Sequence, residues 1–220
     1  MKSHGFSQAT ISVAAIVVFL ATVALAGPPL VCRRIDIGDA KSLPWVDLNY
    51  KNGSGGYDLK NLTRDTLAIL NSTTPILVRM ETLRRATIYA RQDPQVAKEL
   101  LTRLHVRAVN SDEAGHPDAL AWFDAGYLAE TYKQWMGNAE PNPANGIDGY
   151  GWVKKAISLR GNDAEMEFAA ALITLTGPEG AHREHTQKAM GGMTNDPLLA
   201  KNLGASFNLS TNVPVQASKK

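Results

Sequence analysis

From Pro75 to Leu203 the apolar residues recur with the period of an α-helix, and no other feature constrains the fold as strongly. Several of these segments begin with proline or aspartate, as at Asp93-Pro94 and Asp163. Both residue types are favoured at helix N-termini. Stretches rich in Gly, Asn and Pro separate the segments. The chain is therefore predicted to be all-α, with helices over 75–91, 93–108, 117–136, 152–157, 163–176, 179–190 and 197–203.

The stretch before these helices has no sustained period. Prolines and the run Asn52-Gly-Ser-Gly-Gly56 interrupt it, so we expect an extended arm over residues 27–61. A short helix is predicted over Leu62–Leu70. The polar residues 208–220 are expected to form a disordered tail, which leaves residues 62–207 as the helical-repeat domain.

The first 26 residues have the pattern of a secretory signal peptide. Lys2 precedes an apolar run from Ile11 to Leu25, and Ala24 and Ala26 supply the small residues of a cleavage site. The run is short for a membrane span, although an uncleaved anchor is the alternative. We expect cleavage after Ala26, an extracytoplasmic location (periplasmic or secreted) and no membrane span in the mature chain.

Charge and cysteine content narrow the classes of function. The 23 basic residues nearly balance the 21 acidic ones, so no electrostatic footprint for nucleic acid is expected. Cys32 is the only cysteine, which excludes a disulfide within the chain and leaves a free or intermolecularly paired thiol.

A short pattern recurs in the helical part of the chain. The pattern consists of Lys-Ala, five further residues and then Asn-Asp. It begins at Lys155 and again at Lys188, 33 residues later, and a related pattern begins at Arg103. A similar segment follows each copy, starting at Asp118, Asp163 or Asp196. Repeats of this length are typical of helical hairpins that stack on one another.

The repeated units resemble tetratricopeptide repeats, whose unit is two antiparallel helices in about 34 residues. The segment ALAWFDAGYLAETY resembles the first helix of that unit, with Trp122 and the small pair Ala125-Gly126 where helices cross closely. The segment WVKKAISLRGND resembles the second helix, with Ala156 as its small packing residue. The resemblance covers about residues 75–207 and implies an array of about three antiparallel hairpins.

The aromatic residues of the first of these helices form two stripes. One stripe is predicted to be core and comprises Trp122, Ala125, Ala129, Tyr132 and Met136. The resemblance implies that the other stripe partly lines a concave surface where partners bind. We expect that surface to bind an apolar peptide carrying Lys or Arg, or the arm itself, through Phe123, Asp124, Tyr127, Glu130, Glu165 and Phe168.

His182-Arg-Glu-His185 is the most enzyme-like feature of the sequence. Two histidines three residues apart on a helix can bind one metal ion, and Glu184 could serve as a base. The spacing matches neither of the familiar zinc-protease forms, so histidines on a helix surface are favoured. A small metal-dependent hydrolase that uses His182, Glu184 and His185 is one alternative function.

Arginines mark one edge of the predicted helix over residues 75–91. Arg79, Arg84, Arg85 and Arg91 are interleaved with Glu81, and we expect a solvated face with local ion pairs.

No catalytic constellation, metal site or cofactor is predicted from the sequence. The expected function is that of an exported, non-enzymatic interaction module that binds a protein or peptide partner outside the cytoplasm. A structural subunit of an envelope assembly is a further alternative.

Overall fold

The computed structural model describes residues 29–45, 56–137, 141–161, 163–177 and 180–207. These residues form α-helices and two short 3-10 segments, without a strand among them, which confirms the all-α prediction. None of the described helices is long and apolar enough to cross a membrane. The expected signal peptide (1–26) and tail (208–220) lie outside the described residues.

The helices begin and end close to the predicted bounds. Aspartate side chains cap at least four of them: Asp93 accepts the Gln95 amide at 2.8 Å, and Asp118, Asp148 and Asp163 accept backbone amides at the starts of the helices that follow them. The helices are α1 (Pro29–Cys32), α2 (Leu62–Ile69), α3 (Ile76–Ala90), α4 (Pro94–Glu113), α5 (Ala119–Met136), α6 (Gly149–Arg160), α7 (Ala164–Ile173), α8 (Ala181–Met190) and α9 (Pro197–Phe207).

Helix α3 is the centre of the structure, because every residue from Ile76 to Ala90 is buried. It contacts α1, α2, α4, α5 and α7. A helix that is enclosed on all sides has no solvent-facing stripe, so its polar residues must find partners inside the protein.

Helix α5 is buried along most of its length and also has neighbours on several sides. It packs against α1, α3, α4, α6 and α7. This explains why one helix carries aromatic residues on more than one face. The predicted core stripe is confirmed for Trp122, Ala125, Ala129 and Tyr132, which are buried, whereas Met136 is only partly buried.

Helices α5 and α6 cross closely at a pair of glycines. A Cβ atom on Gly126 would lie 2.6 Å from the carbonyl oxygen of Gly149 and 2.9 Å from the backbone nitrogen of Val153. Gly126, which was expected to lie where two helices cross closely, is therefore found at such a crossing.

Residues 29–45, the described first part of the expected arm, are not a separate extended segment. They fold onto the helical body, where Leu30, Val31, Ile35 and Leu43 are buried. The Ile35 amide donates to Glu81 of α3 at 3.1 Å. The arm was expected to be extended because its sequence lacks periodicity, and its apolar residues are buried because apolar side chains in an irregular segment leave water as readily as those in a helix.

Candidate functional site

A surface cleft of about 430 Å³ opens between α4, the loop over residues 141–147 and the start of α6. This volume lies within the range of ligand pockets. Leu101, which is almost completely buried, forms its base. We call it the α4–α6 cleft.

One wall of the α4–α6 cleft is polar and comes from a single helix. Gln95, Lys98, Thr102 and His105 are spaced by three, four and three residues, which places them on one face of α4. Their side chains form no hydrogen bond or ion pair with any other residue in the part of the chain that the structure describes. The wall therefore offers donors and acceptors that the fold does not use.

The opposite wall of the cleft is apolar. It consists of Pro141, Pro143 and Ile147 from the loop and Trp152 from α6. Ile147 and Trp152 are only half-buried, so they retain surface that a bound molecule could cover. A cleft with a few polar groups facing apolar and aromatic side chains is a typical binding site.

Ring contacts hold Trp152 in place. Its ring is stacked on that of His105, with centroids 4.3 Å apart and planes 8° from parallel, and meets Trp122 edge-on at 5.8 Å. Trp122 is held in turn, because its Nε1 donates to Asp112 at 2.9 Å and the Lys155 ammonium lies 3.9 Å from its ring centroid. The Lys155 ammonium, followed by the Trp122 donor, lowers the pKa of Asp112 and keeps it charged.

Asn142 holds the loop that forms the apolar wall. Its buried amide group donates to the carbonyl oxygens of Tyr132 at 3.2 Å and Gly137 at 2.5 Å, and accepts the Ala144 amide at 2.9 Å. Contacts within the protein thus hold the apolar wall in place, which lowers the entropic cost of binding a ligand there.

The groove expected along α5 is absent from the structure. Phe123, Asp124, Tyr127 and Phe168 all have an exposed fraction of 0%. The rings of Phe123 and Tyr127 stack on each other at 5.6 Å, and Asp124 is paired with Arg79 at 2.6 Å. The expectation of an exposed groove was wrong for these residues because α3 and other helices cover the face that an open array would expose.

The two glutamates of the expected groove have structural partners. Glu130 accepts the Tyr150 amide at 2.9 Å and pairs with Lys133 at 2.8 Å. Glu165 accepts the Ile76 amide, at the start of α3, at 3.0 Å. Burial, followed by the nearby carboxylates of Asp196 and Asp163, raises the pKa of Glu165 to about 7.

The arginines of α3 do not form the solvated face that was expected. Arg79, Arg84 and Arg85 are buried, and the local ion pairs to Glu81 are made inside the protein by Arg84 and Arg85, each at 2.7 Å. Arg79 pairs with Asp124 of α5 instead. The sequence pattern alone does not distinguish a buried ion-pair cluster from a surface one.

His182, Glu184 and His185 do not converge on a common point. His182 Nδ1 bonds the carbonyl oxygen of Ala171 at 2.8 Å, and exposed Glu184 pairs with Lys188 at 2.7 Å. Among the described residues, no group of three His, Cys, Asp or Glu side chains is placed to hold a metal ion.

His185 is buried rather than on the helix surface. Its Nδ1 lies 2.5 Å from Glu167 Oε2 and its Nε2 lies 2.7 Å from the Tyr150 hydroxyl. Burial, followed by the charges of Glu184 and Glu167, raises the pKa of Tyr150, so its phenol stays protonated. A carboxylate only accepts, so Nδ1 donates to Glu167.

The Glu167–His185–Tyr150 chain has the order of a carboxylate, a base and a hydroxyl group, as in nucleophilic catalysis. A phenol with a raised pKa is a weak nucleophile, however, and the chain does not line the α4–α6 cleft. Its evident role is to join α6, α7 and α8. The spacing of these three residues in the sequence gave no signal of their contact.

Comparison of the chain with protein-family models, with curated proteins and with solved structures finds no match.

The α4–α6 cleft was not predicted from the sequence, although part of its signal was available. The spacing of Gln95, Lys98, Thr102 and His105 marks a polar face on a helix whose other face is apolar. That pattern is also typical of any solvated helix face. What makes it a site is the apolar loop packed opposite, which local sequence does not reveal.

Proposed function

We propose that this protein is a non-catalytic binding module for a protein or peptide partner and that the α4–α6 cleft is its binding surface. The observation that carries the proposal is a cleft in which one wall presents polar groups that have no partner among the described residues and the other presents aromatic and apolar surface. Gln95, Lys98 and Thr102 are exposed, and a binding site uses such polar groups to orient its ligand.

The proposed partner lies outside the cytoplasm. Support comes from residues 1–26, where a basic start, a short apolar run and the small residues Ala24 and Ala26 match a secretory signal. Intact-mass measurement of the protein from its native host tests this, since we expect a mature chain that begins at Gly27. Retention of residues 1–26 would contradict export by cleavage.

We also propose that the helical pairs derive from tetratricopeptide-like hairpins. In support, sequential helices pack as neighbours, α5 with α6 and α7 with α8, and the close crossing falls at Gly126. The chain differs from an open array in that α3 contacts α7 and residues 29–45 close over the helices.

Selection from a random peptide library tests the binding function. Thr102→Arg places a long side chain from an exposed position on the polar wall and should block the α4–α6 cleft. Gln187→Arg adds the same side chain at an exposed position of α8 that does not line the cleft. Both variants should keep the circular dichroism spectrum of the unmodified protein.

Peptides selected on the unmodified protein should bind Gln187→Arg normally and lose binding to Thr102→Arg. Equal binding to both variants would show that the peptides use another surface. Failure to select any peptide from a diverse library would count against a peptide-binding function.

A further inference from the structure

We propose that the α4–α6 cleft binds an extended peptide segment in which apolar side chains alternate with polar ones, and in which a carboxylate meets Lys98. This inference rests on the proposed function and specifies its ligand. Three properties of the cleft carry it, namely its length, its two unlike walls and its charge.

The length of the polar wall fits a short extended segment. His105 is stacked on Trp152 of the opposite wall, so the open part of the polar wall runs from Gln95 to Thr102, seven residues apart on α4, or about 10 Å along the helix axis. An extended chain advances about 3.3 Å per residue, so three or four residues span the open part of the wall. A single side chain or a compact small molecule would leave part of it uncovered.

The difference between the walls selects an alternating sequence. Successive side chains of an extended chain point to opposite sides. A segment lying along the cleft would place every second side chain toward Ile147 and Trp152, where apolar surface is available. The intervening side chains would face Lys98 and Thr102, whose polar groups have no partner among the described residues.

The charge of the cleft favours a carboxylate on the polar side. Lys98 lines the cleft, and none of the described residues that line it is acidic. The ammonium group of the nearby Lys155 is already paired with Asp112 and lies over Trp122. Lys98 also lines an adjoining depression, together with Glu99 and Arg103, and it forms no ion pair with a described residue there. Lys98 is therefore the cation that remains for a ligand in the described part of this site.

Two matched peptides test the inference, acetyl-Ser-Leu-Glu-Leu-Ser-amide and the same peptide with Gln in place of Glu. Binding is followed by NMR at millimolar peptide, using the indole signal of Trp152 and the imidazole signals of His105. We expect the Glu peptide to bind up to about fivefold more tightly at low salt, as for an exposed ion pair. Added salt should remove that preference.

Lys98→Gln and Lys60→Gln form the variant pair, because Lys60 is equally exposed but does not line the cleft. Loss of the preference for the Glu peptide in Lys98→Gln, with its retention in Lys60→Gln, supports the inference. Equal binding of both peptides, or a preference that persists in Lys98→Gln, overturns it and leaves the proposed function intact.

Absence of any change in the Trp152 and His105 signals would also overturn this ligand assignment. The library selection against Thr102→Arg then decides separately whether the cleft binds peptides at all. Failure of the ligand class and failure of the binding function are thus distinguished.

Discussion

Glu81 joins the buried charges at the centre of the molecule. Its carboxylate accepts from Arg84 at 2.7 and 2.8 Å, from Arg85 at 2.7 Å and from the Ile35 amide at 3.1 Å. Arg84 also donates to the carbonyl oxygen of Val31, and Arg85 donates to that of Leu43. Both carbonyl groups lie in the N-terminal segment. A buried charge is tolerated when it is paired and hydrogen-bonded, as this one is.

Replacing Glu81→Gln should destabilise the protein by about 3–5 kcal/mol, because two buried guanidinium groups lose their carboxylate. Urea denaturation measures the change. Glu184→Gln is the matched control, since Glu184 pairs with Lys188 at the surface and should leave the midpoint nearly unchanged. Equal, small shifts for both variants would contradict a stabilising role for the buried pair.

Glu165 makes stability depend on pH. Its pKa of about 7 lies above its ordinary value of 4.5, so the folded protein holds a proton more tightly than the unfolded chain. This tighter binding of a proton stabilises the folded protein. The contribution is fully present below pH 4.5 and is lost as the pH rises through about 7.

We therefore expect the free energy of unfolding to fall more between pH 5 and pH 7.5 in the unmodified protein than in Glu165→Gln. The Gln side chain retains an oxygen that can accept the Ile76 amide but does not titrate. Denaturation at several pH values gives the two slopes. The same slope in both proteins would show that another group causes the dependence.

Two tyrosines, one of them fully buried, provide a test of the Glu167–His185–Tyr150 chain. The Tyr150 hydroxyl bonds His185, whereas the buried hydroxyl of Tyr132 has no hydrogen-bond partner among the described residues. Tyr150→Phe leaves the His185 nitrogen unpaired and should cost about 1–3 kcal/mol. Tyr132→Phe removes an unsatisfied hydroxyl and should be neutral or stabilising in thermal unfolding. The reverse order would contradict these bonding assignments.

At the scale of elements, the packing of α5 on α6 depends on the absence of side chains. Gly126 and Gly149 bring the two backbones together, and a Cβ on Gly149 would lie 2.7 Å from the Gly126 carbonyl oxygen. Since α6 also carries Trp152, this crossing sets the position of the apolar wall of the cleft.

Gly126→Ala should separate α5 from α6 and destabilise the protein by about 1–3 kcal/mol, because its Cβ would meet backbone atoms that cannot move aside. It should also shift the NMR signal of Trp152. Gly177→Ala is the control, because its Cβ would approach Thr174 only to 3.4 Å, an ordinary contact. A Gly126→Ala protein as stable as the control would show that the crossing tolerates expansion.

At the scale of the whole molecule, the two ends of the described chain meet. The Asn202 side chain of α9 accepts the Asp36 amide at 2.8 Å and donates to the Asp36 carbonyl oxygen at 2.9 Å. Arg33 also donates to the carbonyl oxygen of Ser206. These contacts join the N-terminal segment to α9 and close the helical body.

Asn202→Ala should cost about 1–3 kcal/mol by leaving backbone groups of Asp36 without a partner. It should also raise the hydrogen-exchange rate of the Asp36 and Ile35 amides. The neighbouring substitution Lys201→Ala removes only an exposed ion pair to Asp36 and should change neither measurement much. Unchanged exchange in Asn202→Ala would mean that the N-terminal segment is held in place by its apolar contacts alone.

The sequence by itself determined the helices from α2 to α9, whereas α1 lies in a segment that was expected to be an extended arm. Helix periodicity and capping are local, because each backbone bond joins residues four apart and each cap lies within one turn. It was therefore possible to predict that helices start at Asp93 and Asp163 and that a short helix follows Asn61. The core stripe through Trp122 was predictable for the same reason.

Only the tertiary structure decided which helix faces are buried and where the cleft lies. Arg79 was expected in solvent, and Phe123 and Tyr127 were expected in a groove, but their partners come from distant segments and enclose them. Likewise, the face of α4 that bears Lys98 becomes one wall of a cleft because Asn142 fixes a loop opposite it. Burial and binding surfaces depend on contacts between residues far apart in sequence, and local periodicity does not specify them.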